Sequence, residues 1–170
     1  SRLAADGKVI RVAVRDIETA NYLRPMGDVG QIVPIAADLG DNYSVASAVE
    51  GADYVVNLVG LLYESGSQNF ERIHNLGATN VAKASADAGV VKLVQVSAIG
   101  ASPSSGASYA RTKAAGEKNI KQAFPNATVI RPSIIFGPED NFFNLFAGIS
   151  RLSPILPVFG CPSFPRIKMF

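Results

Sequence analysis

Residues 54–59 read YVVNLV and residues 92–97 read KLVQVS, two short apolar runs with a helical pattern between them. Three further runs of the same kind occur at residues 9–15 (VIRVAVR), 32–36 (IVPIA) and 127–131 (ATVIR). Short, nearly continuous apolar segments rich in β-branched residues predict strands buried in a parallel sheet. The intervening segments predict helices. Residues 44–50 form a short one, with Asp41 or Asn42 as its cap and Gly51 at its end. Residues 70–88 form a longer one, with Phe70, Ile73, Gly77, Val81 and Ala84 on one face and Gly89 closing it. A third spans residues 108–124 and stops before Pro125. Strand and helix alternating in this way predict an α/β, doubly wound parallel sheet with right-handed crossovers.

The remaining composition narrows the function. Sixteen basic and fourteen acidic residues leave a formal charge of +2, with both signs interspersed, which argues against nucleic acid as a partner. One cysteine, Cys161, excludes an internal disulfide framework, and the single His74 leaves no zinc constellation. No apolar run approaches the ~20 residues that span a bilayer, so the expectation is a soluble protein of a reducing compartment. Residues 1–7 read as the last turns of a helix, and the four prolines between residues 154 and 165 preclude a long regular element there. The domain expectation is one nucleotide-binding unit over residues 1–153 and the start of a further region over residues 154–170.

Several chemically capable residues fall at the carboxyl ends of the expected strands, the edge along which open α/β sheets bind ligands. Tyr109 and Lys113 lie four apart on one helix face, and a cation beside a phenol can lower its pKa and make it an acid/base. Arg15 and Asp16 end the first run; an arginine there suits the additional phosphate of NADP(H) better than the free ribose of NAD(H). Asp38 and Leu39 follow the second run, where a carboxylate could accept from an adenine amino group. Asn57, Leu58, Val59 and Gly60 close the third, and Gly60 lets backbone approach a ligand. Ser97 ends the fourth, and Arg131, Pro132 and Ser133 follow the fifth. His74 reads as a packed or half-exposed histidine of an amphipathic helix. Glu117, Lys118 and Lys121 read as a solvated helix face, and Phe142, Phe143, Leu145 and Phe146 as core, or as a partner surface if exposed.

The order of these features, from Asp38-Leu39 through Asn57-x-x-Gly60 and Tyr109-x-x-x-Lys113 to Arg131-Pro132-Ser133-x-x-Phe136-Gly137, resembles the extended and atypical short-chain dehydrogenase/reductases. More particularly, residues 23–31 (LRPMGDVGQ), residues 136–144 (FGPEDNFFN) and Gly116-Glu117-Lys118 resemble signatures of the nucleotide-binding accessory subunits of respiratory complex I and their bacterial homologues. The resemblance covers the chain up to its proline-rich tail. It implies a Rossmann-like domain holding NADP(H), with Arg15 near the 2′-phosphate and Asp38 and Leu39 near adenine. Val59 and Gly60 would lie along the cofactor, Tyr109 and Lys113 at the nicotinamide ribose, and Pro132 and Ser133 beside the nicotinamide. Ser97, Tyr109 and Lys113 are the catalytic candidates. Implied partners are other subunits of complex I or of a quinone-related membrane complex, met peripherally at the bacterial inner membrane or on the mitochondrial matrix side.

Two departures qualify what the resemblance implies. Active members carry Ser or Thr two positions beyond Ser97, where this chain has Ile99; losing that hydrogen bond removes an electrostatic term worth ~2–4 kcal/mol of barrier. Ser97, Ser102 and Ser104 are the hydroxyls that could stand in. The first strand and glycine-rich turn of the family, and most of its substrate region, have no counterpart in this sequence. The expected consequences are a sheet interrupted between residues 9–15 and 54–59, and poor dinucleotide binding by the 170-residue polypeptide itself. An accessory, cofactor-holding subunit is the leading reading. A free-standing NADPH-dependent reductase, epimerase or dehydratase is the alternative, and a redox sensor a third.

Overall fold

A computed structural model describes residues 2–137 and 140–152, with backbone alone for residues 141–143, 146 and 152. The chain forms two compact units, Ser1–Ser133 and Ile134–Phe170. The proline-rich stretch expected from residue 154 onward, Cys161 included, lies outside the described residues.

In the first unit a short helix α1 (Arg2–Ala5) precedes β1 (Ile10–Val14), followed by a 3₁₀ helix over Glu18–Met26, β2 (Ile32–Ala36), α2 (Asn42–Val49) and β3 (Tyr54–Asn57). A wide, π-helical segment, Glu71–Gly77, runs directly into α3 (Ala78–Asp87). Then come β4 (Lys92–Val96), α4 (Ser108–Ala123) and β5 (Thr128–Ile130). The second unit holds α5 (Asn141–Leu152). Of the two candidate caps for α2, Asp41 serves: its carboxylate accepts from the amides of Tyr43 and Ser44 at 3.1 and 3.3 Å.

All strand pairings are parallel, as continuous apolar runs joined by helices require. They form two ladders: β1 with β2, Ile10 opposite Ile32, and β3–β4–β5, with Val55 opposite Leu93 and Gln95 opposite Val129. Among the described residues no ladder joins β1 to β3, so the sheet is interrupted where the sequence predicts it. Helices bridge the interruption, because α2 packs on β2 and on α3, and α3 packs on β3, β4 and α4.

One hydrophobic core results. Val45 of α2, Ala78, Val81 and Ala82 of α3, Leu93 of β4 and Ile120 of α4 form it together with Val90, Phe124 and Ala127. Burying side chains of this size supplies ~1.5–3 kcal/mol each for the larger ones. The strands are not uniformly buried, however. Val55, Asn57, Leu93 and Gln95 point to the helical face, whereas Tyr54 and Val56 on the opposite face of β3 are 66% and 51% exposed. Leu145 of α5, expected in the core, is 60% exposed; the side chains of Phe142, Phe143 and Phe146 are not among those described.

Candidate functional site

Four of the segments singled out in the sequence converge at the carboxyl end of β3 and the start of α4. Asn57, buried at the end of β3, donates to Gln95 Oε1 at 2.9 Å, and its own Oδ1 accepts from the Val59 amide at 3.1 Å. That side-chain turn lifts Val59 and Gly60 to the surface. Lys113 of α4 reaches up beside them. A Cβ on Gly60 would sit 3.1 Å from Lys113 Nζ, so any side chain there would crowd the ammonium. Lys113 is only 6% exposed, and no hydrogen bond from its ammonium is found among the described residues. Burial lowers its pKa, while the nearby Glu117 carboxylate raises it.

Tyr109 lies one turn earlier on the same helix, but the pair is not arranged as the sequence predicts for an activated phenol. Lys113 Nζ stands over the face of the Tyr109 ring, 5.9 Å from its centroid, rather than at the hydroxyl. Burial consequently dominates, and the phenol pKa is raised rather than lowered. The ring packs edge-on against Phe70 and His74, with centroids 5.6 and 5.1 Å away, and Phe70 stacks on His74 at 5.2 Å.

His74 departs most from expectation. It is 3% exposed and its two nitrogens hold two elements together. Nε2 accepts from the Leu61 amide at 2.9 Å, and Nδ1 lies 3.3 Å from Thr112 Oγ1. Burial, and then the charge of Lys113, lower its pKa to about 4, so the ring is neutral at physiological pH. Unfolded, His74 takes up a proton below about pH 6.5. Folded, it refuses one until about pH 4. Stability contributed by this residue is therefore complete above pH 6.5 and lost progressively down to pH 4, by up to about 3 kcal/mol. Urea midpoints measured across that window should fall with pH, and the fall should shrink in a His74→Gln protein.

Close approach of α4 to the wide turn is what brings these groups together. A Cβ at Gly116 would collide with the His74 carbonyl oxygen, so only glycine permits this contact. Asn119 Nδ2 donates to Asn75 Oδ1 at 2.7 Å, fastening the next turn. Glu117 and Lys121 are not a merely solvated face. Glu117 accepts three bonds from Arg131, at 2.9, 3.2 and 2.6 Å, and Lys121 donates to the Ala127 carbonyl.

The remaining candidates lie along neighbouring strand ends. Arg15 is exposed just past β1, with no hydrogen bond or ion pair among the described residues, while Asp16 accepts from the Glu18 amide and starts the 3₁₀ helix. Asp38 accepts from the Gly40 amide at 2.7 Å and lies 3.8 Å from the Arg72 guanidinium. Leu39 is held by a bond from Asn80 Nδ2 to its carbonyl, at 3.0 Å. Ser97 is 5% exposed and its hydroxyl has no hydrogen-bond partner among the described residues. Ile99 is 69% exposed and its amide donates to the Pro132 carbonyl at 2.9 Å, which places Pro132 and the exposed Ser133 beside the loop after β4. Sequence reasoning gives no site role to Phe70, Thr112 or Gly116, although Phe70 falls on the apolar helix face and Gly116 in a family signature. A glycine inside an otherwise helix-favouring stretch is a further signal that points to Gly116.

Residues 1–141 match the NAD(P)H-binding family. The chain belongs to that family. Among curated relatives of this NAD(P)H-binding chain, the rat mitochondrial NADH dehydrogenase [ubiquinone] 1 alpha subcomplex subunit 9 is 41% identical over 132 residues, 78% of this chain and 35% of that one. The ceramide reductase of Caulobacter vibrioides is 32% identical over 157 residues, covering 92% of this chain and 48% of that one. The chain thus spans between about a third and a half of the length of these relatives. Its fold is that of the Citrobacter triphenylmethane reductase complexed with NADP(H), with a TM-score of 0.62 at 21% identity over 84% of this chain and 44% of that one. The site suits the family's cofactor: Lys113 is a largely buried lysine whose ammonium makes no hydrogen bond among the described residues, and a side chain at Gly60 would crowd that ammonium.

Proposed function

We propose that this domain holds NADP(H) in preference to NAD(H), as part of an accessory subunit of respiratory complex I or of a related quinone-linked complex. The observation that carries this reading is the arrangement of Lys113. The side chain is largely buried, while its ammonium makes no hydrogen bond among the described residues and lies over the Tyr109 ring, so it is ready to donate to ligand hydroxyls without ionising the phenol. Gly60 and Val59 would lie along the cofactor, Asp38 and Leu39 near its adenine, Arg15 near the 2′-phosphate, and Pro132 and Ser133 beside the nicotinamide. When bound, the nicotinamide would supply hydride chemistry. The raised pKa of Tyr109 and the apolar Ile99 both weigh against efficient turnover. No helix among the described residues is long and apolar enough to cross a membrane; contact with the membrane complex would be peripheral, in the bacterial cytoplasm or on the mitochondrial matrix side.

The identity to the rat subunit supports the complex I assignment. The Caulobacter relative favours a second reading, an NADPH-dependent reductase in which Tyr109 is the acid, Lys113 its support and Ser97 the hydroxyl on the substrate carbonyl. Denaturing the intact protein, purified without added nucleotide, and identifying what it releases tests the first reading. NADPH released stoichiometrically, and left unoxidised by a panel of carbonyls and quinones, is the expected result. Oxidation that vanishes on Tyr109→Phe would establish the second.

The cofactor preference has its own test. Arg15→Glu in the intact protein is expected to weaken NADPH about 10–100-fold, the scale of a lost charge-assisted bond to phosphate, and to leave NADH nearly unchanged. Equal losses for both nucleotides, measured by titration calorimetry, would remove Arg15 from the phosphate site.

A further inference from the structure

His74 joins the two halves of the candidate site. Its Nε2 receives the Leu61 amide, so the ring proton must sit on Nδ1. Nδ1 then donates toward Thr112 Oγ1, and that hydroxyl in turn donates to the carbonyl of Ser108 or Tyr109, at 3.0 and 3.1 Å. Every bond in the chain runs in one direction, from the turn after β3 through the imidazole into the first turn of α4. Phe70 stacked on one side and Tyr109 edge-on at the other hold the ring in its plane.

The geometry of a trans peptide gives this chain a consequence. In the Gly60–Leu61 peptide the N–H and the C=O point in opposite directions. With the Leu61 N–H held toward His74, the Gly60 carbonyl is turned away from the imidazole. The Lys113 ammonium lies on the side of Gly60 that a Cβ would occupy, 3.1 Å from that position, so fixing this peptide also fixes the backbone beside the ammonium. We infer that His74 is a positioning residue: it fixes the Gly60–Leu61 peptide against α4 and so holds the glycine turn beside the Lys113 ammonium in the form that receives the dinucleotide. This inference rests on the proposed NADP(H) reading.

The two nitrogens can be tested separately. Glutamine places its amide oxygen near the Nε2 position, and asparagine reaches only as far as Nδ1. In the intact protein, His74→Asn should weaken NADPH tenfold or more while His74→Gln stays within about threefold of the parent, although both lose similar thermal stability. Hydrogen exchange at the Leu61 amide should accelerate in the Asn protein and remain slow in the Gln protein. A merely structural histidine predicts instead that affinity follows stability, equally in both variants; that result, or an Asn protein that binds as tightly as the parent, would overturn the inference. Should the parent take up no NADPH while its Leu61 amide stays protected, the binding reading fails and the positioning role falls with it. A Leu61 amide that exchanges equally fast in parent and variants would instead overturn the clamp alone.

Discussion

Replacing Lys113 with methionine should cut the affinity of the intact protein for NADPH by about 30-fold or more, the ~2 kcal/mol expected of a charge-assisted bond made in a low-dielectric site. The same change should leave the thermal midpoint unchanged or raise it. Lys113 is 94% shielded from solvent, donates no hydrogen bond from its ammonium among the described residues and has its pKa lowered by burial, so the folded protein bears a desolvation cost that methionine would remove. Opposite signs for affinity and stability mark a residue kept for its ligand. Fluorescence titration and calorimetry on one preparation give both numbers. Unchanged affinity would dissociate Lys113 from the cofactor, and a marked loss of stability would make it structural.

The second large effect is expected at Gly116. A glycine inside a helix ordinarily costs up to about 1 kcal/mol relative to alanine, so Gly116→Ala on an open helix would stabilise. Here the added methyl would collide with the His74 carbonyl oxygen, which is backbone and cannot rotate aside. Overpacking of this kind costs about 1–3 kcal/mol or more. The melting temperature should therefore fall by about 5–10 °C, on the usual scaling for a chain of this size. Since separation of α4 from the wide turn would also pull Thr112 from His74, dinucleotide affinity should fall with it. A rise in melting temperature would show that the two helices stand further apart than described.

The elements that position the site were legible where local chemistry and tertiary demand agree. Residues 32–36 are a strand because an apolar run between turn residues has little alternative, and α2 begins where Asp41 offers a carboxylate to two free amides. Two features were not legible. The stretch Glu18–Met26 carries Pro25 and no sustained apolar period, so nothing in it announces a 3₁₀ helix; the Asp16 carboxylate that accepts from the Glu18 amide is visible only in three dimensions. Residues 70–88 read as one regular helix, because widening a single turn changes the facing of later side chains but not their composition. That widening aims His74 at Leu61 and Thr112. A lone histidine on an apolar face does not announce which backbone amide it will meet, and the sequence therefore predicted packing where the structure shows a junction.

The direction of the Tyr109 shift has the same origin. Spacing of four residues brings the lysine and tyrosine together but leaves open whether the ammonium meets the oxygen or the ring. In this structure it meets the ring, and burial then decides.

The interruption between β1 and β3 has a consequence for handling the 170-residue polypeptide. Each of these strands presents a row of amides and carbonyls with no ladder on one side among the described residues, and the neighbouring Tyr54 and Val56 are apolar and exposed. Such a row is a template for any extended chain that comes near, a second copy of this polypeptide included. The state of the 170-residue polypeptide will accordingly depend on concentration, so that recovery from a dilute refolding mixture should exceed recovery from a concentrated one.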